Sequence, residues 1–393
     1  MAADLKAIQE ALREEGLDGW LFFDHHERDP LAYRTLKFRP QGTMSRRWYY
    51  FLPAQGEPAG LVHRIEPHVI DALPGEKRIY SGWAAQFDGL RALVGGARRV
   101  AMQYSPNCAV PYVSMVDGGT IDLIRGLGVE VGSSANLIQL FEARWSAEQL
   151  EMHLEAGRRV DAVRAAAFAR VGEMLRAGSE VREYDIKVFV REGFEKAGLE
   201  TDHGPIVAVN AHASDPHYEP EAASSAEIRR GDALLIDLWA KLKQPGAVYY
   251  DITWTGYCGA AAPAEIENVF TVVAGARDRA VERVKQARES GTELRGFEVD
   301  DAARGRIMAN GFGEYFVHRT GHSIGEDVHG TGANMDNLET HDERKVIAGT
   351  CFAIEPGIYL PEFGIRSEVN VYVEEKGARV TGEIQKEPIK LSV

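Results

Sequence analysis

Hydrophobic and polar positions along the first 140 residues follow short helical and strand periods in turn. Leu5, Ile8 and Leu12 recur at the helical spacing and are followed by Gly16, which predicts one amphipathic helix. Two apolar runs flank the turn residues 53–56 and predict a hairpin. The predicted elements are helices over 4–15 and 120–126 and strands over 20–23, 48–52, 60–65, 79–80 and 100–104. This alternation is typical of a compact α/β domain.

From residue 146 the pattern changes to long helices and then to strands separated by helices. Ser146 is a suitable N-cap residue with Gln149 in the first turn, and the stretch up to Ala177 is rich in helix-forming residues. The predicted elements are helices over 146–177, 183–197, 263–288 and 299–310 and strands over 233–239, 248–257, 350–354 and 369–373. The change predicts a domain boundary near residue 145, with one domain over 1–145 and a second over 146–393.

Composition and charge narrow the class of protein. The 393 residues are 45% hydrophobic and 26% charged, which is ordinary for a globular protein. The formal net charge of −14 opposes binding to a phosphate backbone, so we expect no nucleic-acid partner. No apolar run is long enough for a membrane span, and the first residues lack the pattern of a signal peptide. We therefore expect neither a membrane partner nor export.

The three cysteines, Cys108, Cys258 and Cys351, are odd in number and far apart. They form neither a disulfide framework nor a zinc-binding spacing. A reducing cytoplasm is therefore expected, with all three as small buried apolar residues.

Four acidic residues stand where a buried strand would favour an apolar side chain. Asp237 follows Leu-Leu-Ile, and Asp251 lies in the next predicted strand, so antiparallel pairing would bring their carboxylates together. Glu355 ends the apolar run Cys-Phe-Ala-Ile, and Glu368 precedes Val-Asn-Val-Tyr-Val. Buried carboxylates at close range are costly unless a cation neutralises them, whereas either Asp alone would be an ordinary cap or turn residue. The group predicts a site for divalent metal ions.

Three histidines follow one another at short spacing between these acids. His318, His322 and His329 surround a glycine-rich stretch, residues 320–325, whose glycines permit close backbone approach. A single histidine is more often a surface or core residue than a ligand, but three near buried acids favour a site. Oxygen and imidazole ligands together suit Mn²⁺, Co²⁺ or Zn²⁺. The histidines without such neighbours are interpreted as structural; they include His25, His26, His153 and His341.

The ordered set of motifs resembles the pita-bread metallopeptidase family, which includes methionine aminopeptidase, aminopeptidase P and prolidase. The set is Asp237, Asp251, Gly-His-x-Ile-Gly at 321–325, Ile-Glu-Pro-Gly at 354–357 and Arg-x-Glu at 366–368. The resemblance covers about residues 146–390, and the preceding domain is similar to the N-terminal domain of prolidase, aminopeptidase P and creatinase. It implies an α+β fold, with a pita-bread catalytic domain after a smaller α/β, creatinase-like domain.

The resemblance also implies a centre with two divalent metal ions, Mn²⁺ before Co²⁺ or Zn²⁺. Asp237 would chelate one ion, Asp251 and Glu368 would bridge both, and His322 and Glu355 would complete the other.

Catalytic roles are implied in the same way, with an activated water as the nucleophile. Glu355 would shuttle the proton of this water, and His329 would stabilise the oxyanion that develops on the scissile carbonyl. His217 and His318 would line the substrate pocket, and Arg366 would support the metal-bound acids from behind.

The sequence departs from the family pattern at four places near these motifs. Residues 241–245 are interpreted as an insertion in the turn between the first two acids. Trp239 replaces a glycine, Trp254 an arginine and Gly330 a glutamate. None of these changes removes a predicted ligand, so they alter the expected shape of the pocket and leave the metal site intact.

The expected function is metal-dependent hydrolysis of the bond before proline, with an Xaa-Pro dipeptide as substrate. The alternatives are an aminopeptidase P that accepts longer peptides and a non-catalytic binding protein on the same fold. Creatinase is disfavoured because all five ligands are present, and methionine aminopeptidase because of the large N-terminal domain. The resemblance implies a homodimer, with Arg46, Arg47 and Trp48 either as exposed contacts or as an ordinary strand edge.

Overall fold

The computed structural model describes residues 3–40 and 42–393, and the chain divides into two compact units, Met1–Glu142 and Ala143–Val393. Each unit has its own apolar clusters of buried side chains. Within the described residues, no helix combines the length and the apolar character that crossing a bilayer requires.

The first unit is built on one six-stranded mixed sheet. Its helices are α1 (Leu5–Glu14), α2 (Pro30–Leu36), α3 (Trp83–Leu93), α4 (Gly118–Arg125) and α5 (Ala135–Ile138). Its strands are β1 (Gly19–Asp24), β2 (Trp48–Pro53), β3 (Ala59–His63), β4 (Glu76–Tyr80), β5 (Arg99–Met102) and β6 (Glu130–Ser133). They lie in the order β4-β3-β2-β1-β5-β6, and β2 alone runs antiparallel to its neighbours. The predicted hairpin of β2 and β3 is confirmed.

Two expectations for this unit were wrong. Trp48 begins β2, an interior strand of the sheet, and is only 1% exposed, so it belongs to the core and to neither an exposed contact nor a strand edge. Cys108 is exposed, because it lies in a short 3₁₀ turn after β5. Its neighbours in the sequence, Asn and Ala, form no periodic apolar pattern from which the exposure of Cys108 could be predicted.

The second unit packs long helices against three smaller sheets. Its helices are α6 (Ala147–Ala177), α7 (Glu183–Lys196), α8 (Ala264–Ser290) and α9 (Gly296–Ala309). Its strands are β7 (Leu199–Glu200), β8 (Ile206–Val209), β9 (Ala233–Leu242), β10 (Tyr250–Tyr257), β11 (Ser323–Ile324), β12 (Cys351–Ile354), β13 (Gly357–Tyr359), β14 (Gly364–Arg366), β15 (Val369–Glu374), β16 (Gly377–Val380) and β17 (Ile389–Lys390). The sheets have the orders β17-β10-β9-β7 with β8 also on β9, β11-β12-β15-β16, and β13-β14.

Local sequence explains how the longest helix begins and how closely it packs. The Ser146 hydroxyl accepts from the Gln149 backbone N–H while the Gln149 side chain accepts from the Ser146 N–H, which satisfies two free donors at the start of α6. A Cβ at Gly157 would lie 2.7 Å from the ring of Tyr250, so glycine permits the close approach of α6 to β10. This contact supports the sheet that carries two of the predicted ligands.

The register of β9 and β10 places several side chains on one face. Asp237 is opposite Thr253, and Asp251 is opposite Trp239. Because directly paired residues and residues two apart share a face, all four side chains emerge on the same side of the hairpin. The expectation of an insertion in the turn at 241–245 needs correction: residues 241 and 242 continue β9, where they pair with β7.

His153 on α6 is buried between β10 and the chain after β16. Its Nδ1 lies 2.6 Å from the Tyr249 carbonyl oxygen and its Nε2 2.7 Å from the Thr381 hydroxyl. Burial lowers the pKa of His153 to about 4 from its usual 6.5. Between these two pH values the unfolded chain binds more protons than the folded chain. The free energy of unfolding should therefore fall by about 3 kcal/mol, through this residue, as the pH drops from 6.5 to 4.

Urea unfolding of the wild type and of His153→Gln at pH 7 and pH 4 measures this contribution, because groups that are common to both proteins cancel. We expect the variant to lose less stability than the wild type on acidification. His341→Gln, which changes an exposed histidine in the same unit, should behave like the wild type. Equal losses in the wild type and His153→Gln would contradict the prediction.

Candidate metal centre

Separate parts of the second unit bring the predicted ligands into one region. β9 and β10 present Asp237 and Asp251 on one face of their hairpin. Glu355 and Glu368 are the residues immediately beyond the last pair of the β12–β15 ladder, so they emerge side by side. His322 directly precedes β11, which pairs with β12.

Three of these side chains form a compact group. Asp251, His322 and Glu368 each place one potential ligand atom within 4.8 Å of the others. Nε2 of His322 is 3.5 Å from Oδ2 of Asp251 and 3.5 Å from Oε1 of Glu355. Nδ1 of His322 lies 3.1 Å from the Ser323 carbonyl oxygen, so a proton on Nδ1 leaves the lone pair of Nε2 facing the acids.

Asp237 is paired directly with a guanidinium group. Nη2 of Arg366 donates to Oδ2 of Asp237 at 2.5 Å. Asp237 and Asp251 lie on the same face of neighbouring strands, and the negative charge of Asp237 raises the pKa of Asp251. Asp237 therefore lies at the side of the group where Arg366 balances its charge.

Burial and mutual repulsion dominate the electrostatics of the four acids. Burial raises the pKa values of Asp251 and Glu368 well above their usual range, and the neighbouring carboxylates raise them further. Burial raises the pKa of Glu355 to about 7, although the Arg366 guanidinium acts in the opposite direction. Burial also lowers the pKa of His322 well below its usual value, so this imidazole is neutral and able to act as a ligand.

Buried carboxylate oxygens without hydrogen-bond partners indicate which kind of ligand the group could bind. Oδ1 of Asp237, Oδ1 of Asp251 and Oε1 of Glu368 are buried without a hydrogen-bond partner among the described residues. A buried carboxylate oxygen without a partner is costly, and a divalent cation would satisfy all three at once. Carboxylate oxygens with one imidazole nitrogen suit Mn²⁺, Co²⁺ or Zn²⁺, so the residues present fit the implied metal ions.

Two polar residues that the sequence analysis did not single out hold the acids in place. The Thr253 hydroxyl donates to Oε2 of Glu368 at 2.8 Å and accepts from Nε of Arg366 at 3.0 Å. The Asn370 side chain exchanges hydrogen bonds with the backbone N–H and carbonyl of Asp251, at 3.1 and 2.7 Å. In both cases the sequence contains one sign of this role: the polar residue stands two positions after an acid, on the same face of the strand.

A second group of buried polar side chains adjoins the acids. Nε2 of His318 lies 2.6 Å from the Tyr359 hydroxyl, and Nη1 of Arg366 donates to that hydroxyl at 3.0 Å. Burial, with Arg366 nearby, lowers the pKa of His318 to about 3, so the imidazole is neutral. Tyr359 thus connects His318 to the guanidinium that binds Asp237. His318 is therefore linked to Asp237 through Tyr359 and Arg366, and no direct hydrogen bond between His318 and the four acids is found among the described residues.

The other two predicted histidines are more exposed. The ring of His329 lies 4.4 Å from that of His322, edge to face, and its side chain is open to solvent. His217 is exposed on the loop after β8, and its charge acts on the pKa of Asp237. Both histidines therefore lie near the open side of the centre, where a ligand could reach them.

Glycine is required next to the histidine ligand. A Cβ at Gly321 would lie 1.8 Å from the Ala353 carbonyl oxygen, so no other residue fits without moving β12. The Gly330 position is also tight, since a Cβ there would lie 3.0 Å from atoms of Gly325, Ile324 and Ser323. This packing accounts for glycine at 330.

Trp239 forms a wall beside the acids. It lies opposite Asp251, its Nε1 donates to Oδ1 of Asp202 at 2.8 Å, and a Cβ at Gly204 would meet its ring at 2.4 Å. The charge of Asp202 also raises the pKa of Asp251. Trp254, on the opposite face of β10, stacks under the Arg164 guanidinium at 3.5 Å. Of the two tryptophans that depart from the family pattern, Trp239 alone is on the face of the centre.

The fold and the centre together are typical of one class of proteins, the metallopeptidases. The chain belongs to metallopeptidase family M24, whose model matches residues 151–375, more than half of the sequence. The family resemblance predicted from the motifs is thereby confirmed.

Similar proteins carry related names. The chain is 31% identical over 244 residues to the Xaa-Pro dipeptidase of Pyrococcus furiosus; the match covers 61% of this chain and 63%, less than two thirds, of that enzyme. It is 28% identical over 344 residues to the probable dipeptidase PepE of Mycobacterium bovis, with 86% and 83% covered. The crystal structure of dipeptidase PepE from Mycobacterium ulcerans matches with a TM-score of 0.74 and 25% identity over 99% of this chain and 97% of that one. The predicted fold, a pita-bread domain preceded by a smaller α/β domain, is confirmed by this match.

Proposed function

We propose that the chain is a metal-dependent dipeptidase that hydrolyses the bond before proline in Xaa-Pro dipeptides. The observation that carries the proposal is the set of buried carboxylate oxygens without partners around the neutral His322 imidazole. Such a set is costly unless it holds cations. The names of the relatives, an Xaa-Pro dipeptidase and probable dipeptidases, support the substrate class.

The proposed metal site takes two divalent ions, Mn²⁺ before Co²⁺ or Zn²⁺. Its proposed ligands are Asp237, Asp251, His322, Glu355 and Glu368. When bound, the ions supply a Lewis acid for the scissile carbonyl and increase the acidity of a water nucleophile. Arg366 keeps Asp237 oriented through the 2.5 Å contact.

The remaining roles belong to side chains around the acids. Glu355, whose Oε1 lies 3.5 Å from Nε2 of His322, accepts the proton of the attacking water and delivers it to the leaving proline nitrogen. His329, at the open side, donates a hydrogen bond to the carbonyl oxygen as negative charge develops there. His217 and His318 line the pocket for the proline residue, with His318 held by Tyr359.

The proposal extends to the organisation of the whole protein. It includes a creatinase- and prolidase-like domain over 1–145, a catalytic domain over 146–393, a homodimer and a cytoplasmic location. Sedimentation of the purified protein tests the dimer directly, and a monomer at micromolar concentration would contradict it.

The deciding experiment is peptide cleavage by metal-stripped protein to which Mn²⁺ is returned. We expect Ala-Pro and Leu-Pro to be cleaved and the tripeptide Ala-Pro-Ala to resist. Cleavage of both kinds of peptide would indicate an aminopeptidase P instead. If no peptide is cleaved with Mn²⁺, Co²⁺ or Zn²⁺, the chain is a binding protein on this fold.

Trp239 should limit the size of the first residue of the substrate. Its indole fills space beside Asp251 where the family has glycine, so Trp239→Gly should raise kcat/KM for Phe-Pro relative to Ala-Pro by about tenfold, the range expected for a change in an apolar pocket. Trp254→Gly removes an indole of the same hairpin from the opposite face and should leave the ratio unchanged. An unchanged ratio in both variants would place the first residue elsewhere.

A further inference from the structure

A cavity of about 740 Å³ opens in the first unit, far along the chain from the metal ligands. It lies at one edge of the six-stranded sheet, because β1, β3 and β4 run in the same direction and β2 runs in the opposite one. The carboxyl ends of β1, β3 and β4 and the amino end of β2 therefore lie together at this edge. In open α/β sheets this edge is where ligands bind.

The edge gathers basic side chains. Arg28 follows β1, and Arg46 and Arg47 precede β2; all three line the cavity together with His25 and His63. Among the residues that the structure describes, none of the three arginines has a carboxylate oxygen within 4 Å. Nε of Arg28 donates to the His25 carbonyl, and Nη1 of Arg46 donates to Ser45, which leaves most guanidinium donors of both side chains unused.

The nearby acids are occupied by other donors. Glu66 accepts from the backbone N–H groups of Ser45 and Arg46 and from the Ser45 hydroxyl. Asp117 accepts from the backbone and hydroxyl of Thr120 at the start of α4. Neither acid forms a direct ion pair with the three arginines, although the charge of Arg46 lowers the pKa of Glu66 and the charge of Arg28 lowers that of Asp117. The positive charge of the cavity is therefore only partly compensated.

The overall charge of the first unit does not oppose an anion there. Residues 1–142 contain 15 Lys and Arg against 17 Asp and Glu, whereas residues 143–393 contain 30 against 42. Most of the surplus acid thus lies in the second unit. The residues that line the cavity include three arginines and one acid, Asp117.

We propose that this cavity binds the phosphate group of a small phosphorylated molecule. Guanidinium groups bind phosphate oxygens through paired, charge-assisted hydrogen bonds. Three guanidinium groups are a better match for a phosphate dianion than for the single negative charge of a carboxylate ligand. Gly82, the N-cap residue of α3, lies on the rim and has no side chain to cap the helix, so the first N–H groups of α3 add donors on the same side. Trp83, 83% exposed on the rim, offers a face to the rest of the ligand.

Calorimetric titration of the metal-loaded full chain with inorganic phosphate tests the proposal. We expect saturable binding of one phosphate per chain and binding of acetate at least about tenfold weaker, because a monoanion uses fewer of the donors. The double variant Arg28→Ala/Arg47→Ala should weaken phosphate binding by about tenfold or more. Arg98→Ala removes an exposed arginine next to the amino end of β5, at the opposite edge of the sheet, and should leave the affinity unchanged.

Three results would overturn the proposal. Phosphate binding that is equal in the wild type and the double variant would place the anion elsewhere, for example at the metal ions. Titration without saturation would show that no site exists. A double variant that changes its oligomeric state in size-exclusion chromatography while binding phosphate as before would show that a second copy of the chain covers this face. Circular dichroism of each variant establishes that it is folded.

Discussion

Glu355→Gln should reduce kcat by about 10²–10⁴-fold while the protein keeps its fold and at least one bound metal ion. The change preserves the size of the side chain and one oxygen atom but removes the group that accepts a proton. Glu355 is placed for proton transfer because its side chain lies within the group of proposed ligands, with Oε1 3.5 Å from Nε2 of His322. A carboxylate at that position can take a proton from a water molecule and pass it to the leaving group, whereas an amide cannot.

The measurement is kcat on Ala-Pro together with the metal content of the same sample. Glu362→Gln, an exposed acid on the turn between β13 and β14, is the matched control and should keep full activity. If Glu355→Gln retained more than a tenth of the activity at equal metal content, the proton-transfer role would be wrong. If activity and metal content fell in proportion, Glu355 would be a ligand and nothing more.

The periodic parts of the fold followed from the sequence, and the short strands did not. α6 and α8 repeat apolar residues over many turns, β9 carries a long apolar run, and β10 alternates in the manner of a strand, so each pattern outweighs local exceptions. β7, β11 and β17 have two residues each, too few for any period, and they form only because neighbouring strands offer hydrogen bonds. Their existence depends on tertiary contacts that local sequence does not contain.

The residues of the metal centre also differ in how far the sequence predicts them. Acids at buried strand positions were visible because they break an apolar pattern, as Asp237 does. Thr253 and Asn370 gave a weaker signal, a polar residue two positions after an acid, and the partner that each one binds is more than 100 positions away, Glu368 in one case and Asp251 in the other. The anchoring of the Trp239 indole by Asp202 also joins distant segments.

Asp251→Asn should stabilise the metal-free protein and at the same time abolish its stabilisation by metal. Burial and the charges of Asp237 and Glu355 raise the pKa of Asp251 well above its usual range. A carboxyl group with a raised pKa in the folded state adds stability at low pH, and this stability is lost as the pH rises towards the folded-state pKa. At pH 8 the wild type without metal therefore bears the cost of forcing Asp251 to stay protonated or to ionise while buried. An amide at 251 removes that cost, and each unit of pKa shift corresponds to about 1.4 kcal/mol.

Thermal unfolding at pH 8, with chelator and with Mn²⁺, measures both effects. We expect Asp251→Asn to melt higher than the wild type with chelator. Mn²⁺ should raise the midpoint of the wild type but not that of Asp251→Asn, because a ligand stabilises the state that binds it. Asp336→Asn is the matched control. Asp336 is equally buried, but its two oxygens accept from Leu338, Glu339 and Thr340, so its replacement by an amide should lower the midpoint with or without metal. The opposite signs for two buried aspartates would distinguish a carboxylate that holds a cation from one that holds a turn, and a lower midpoint for both variants with chelator would remove the electrostatic basis of the centre.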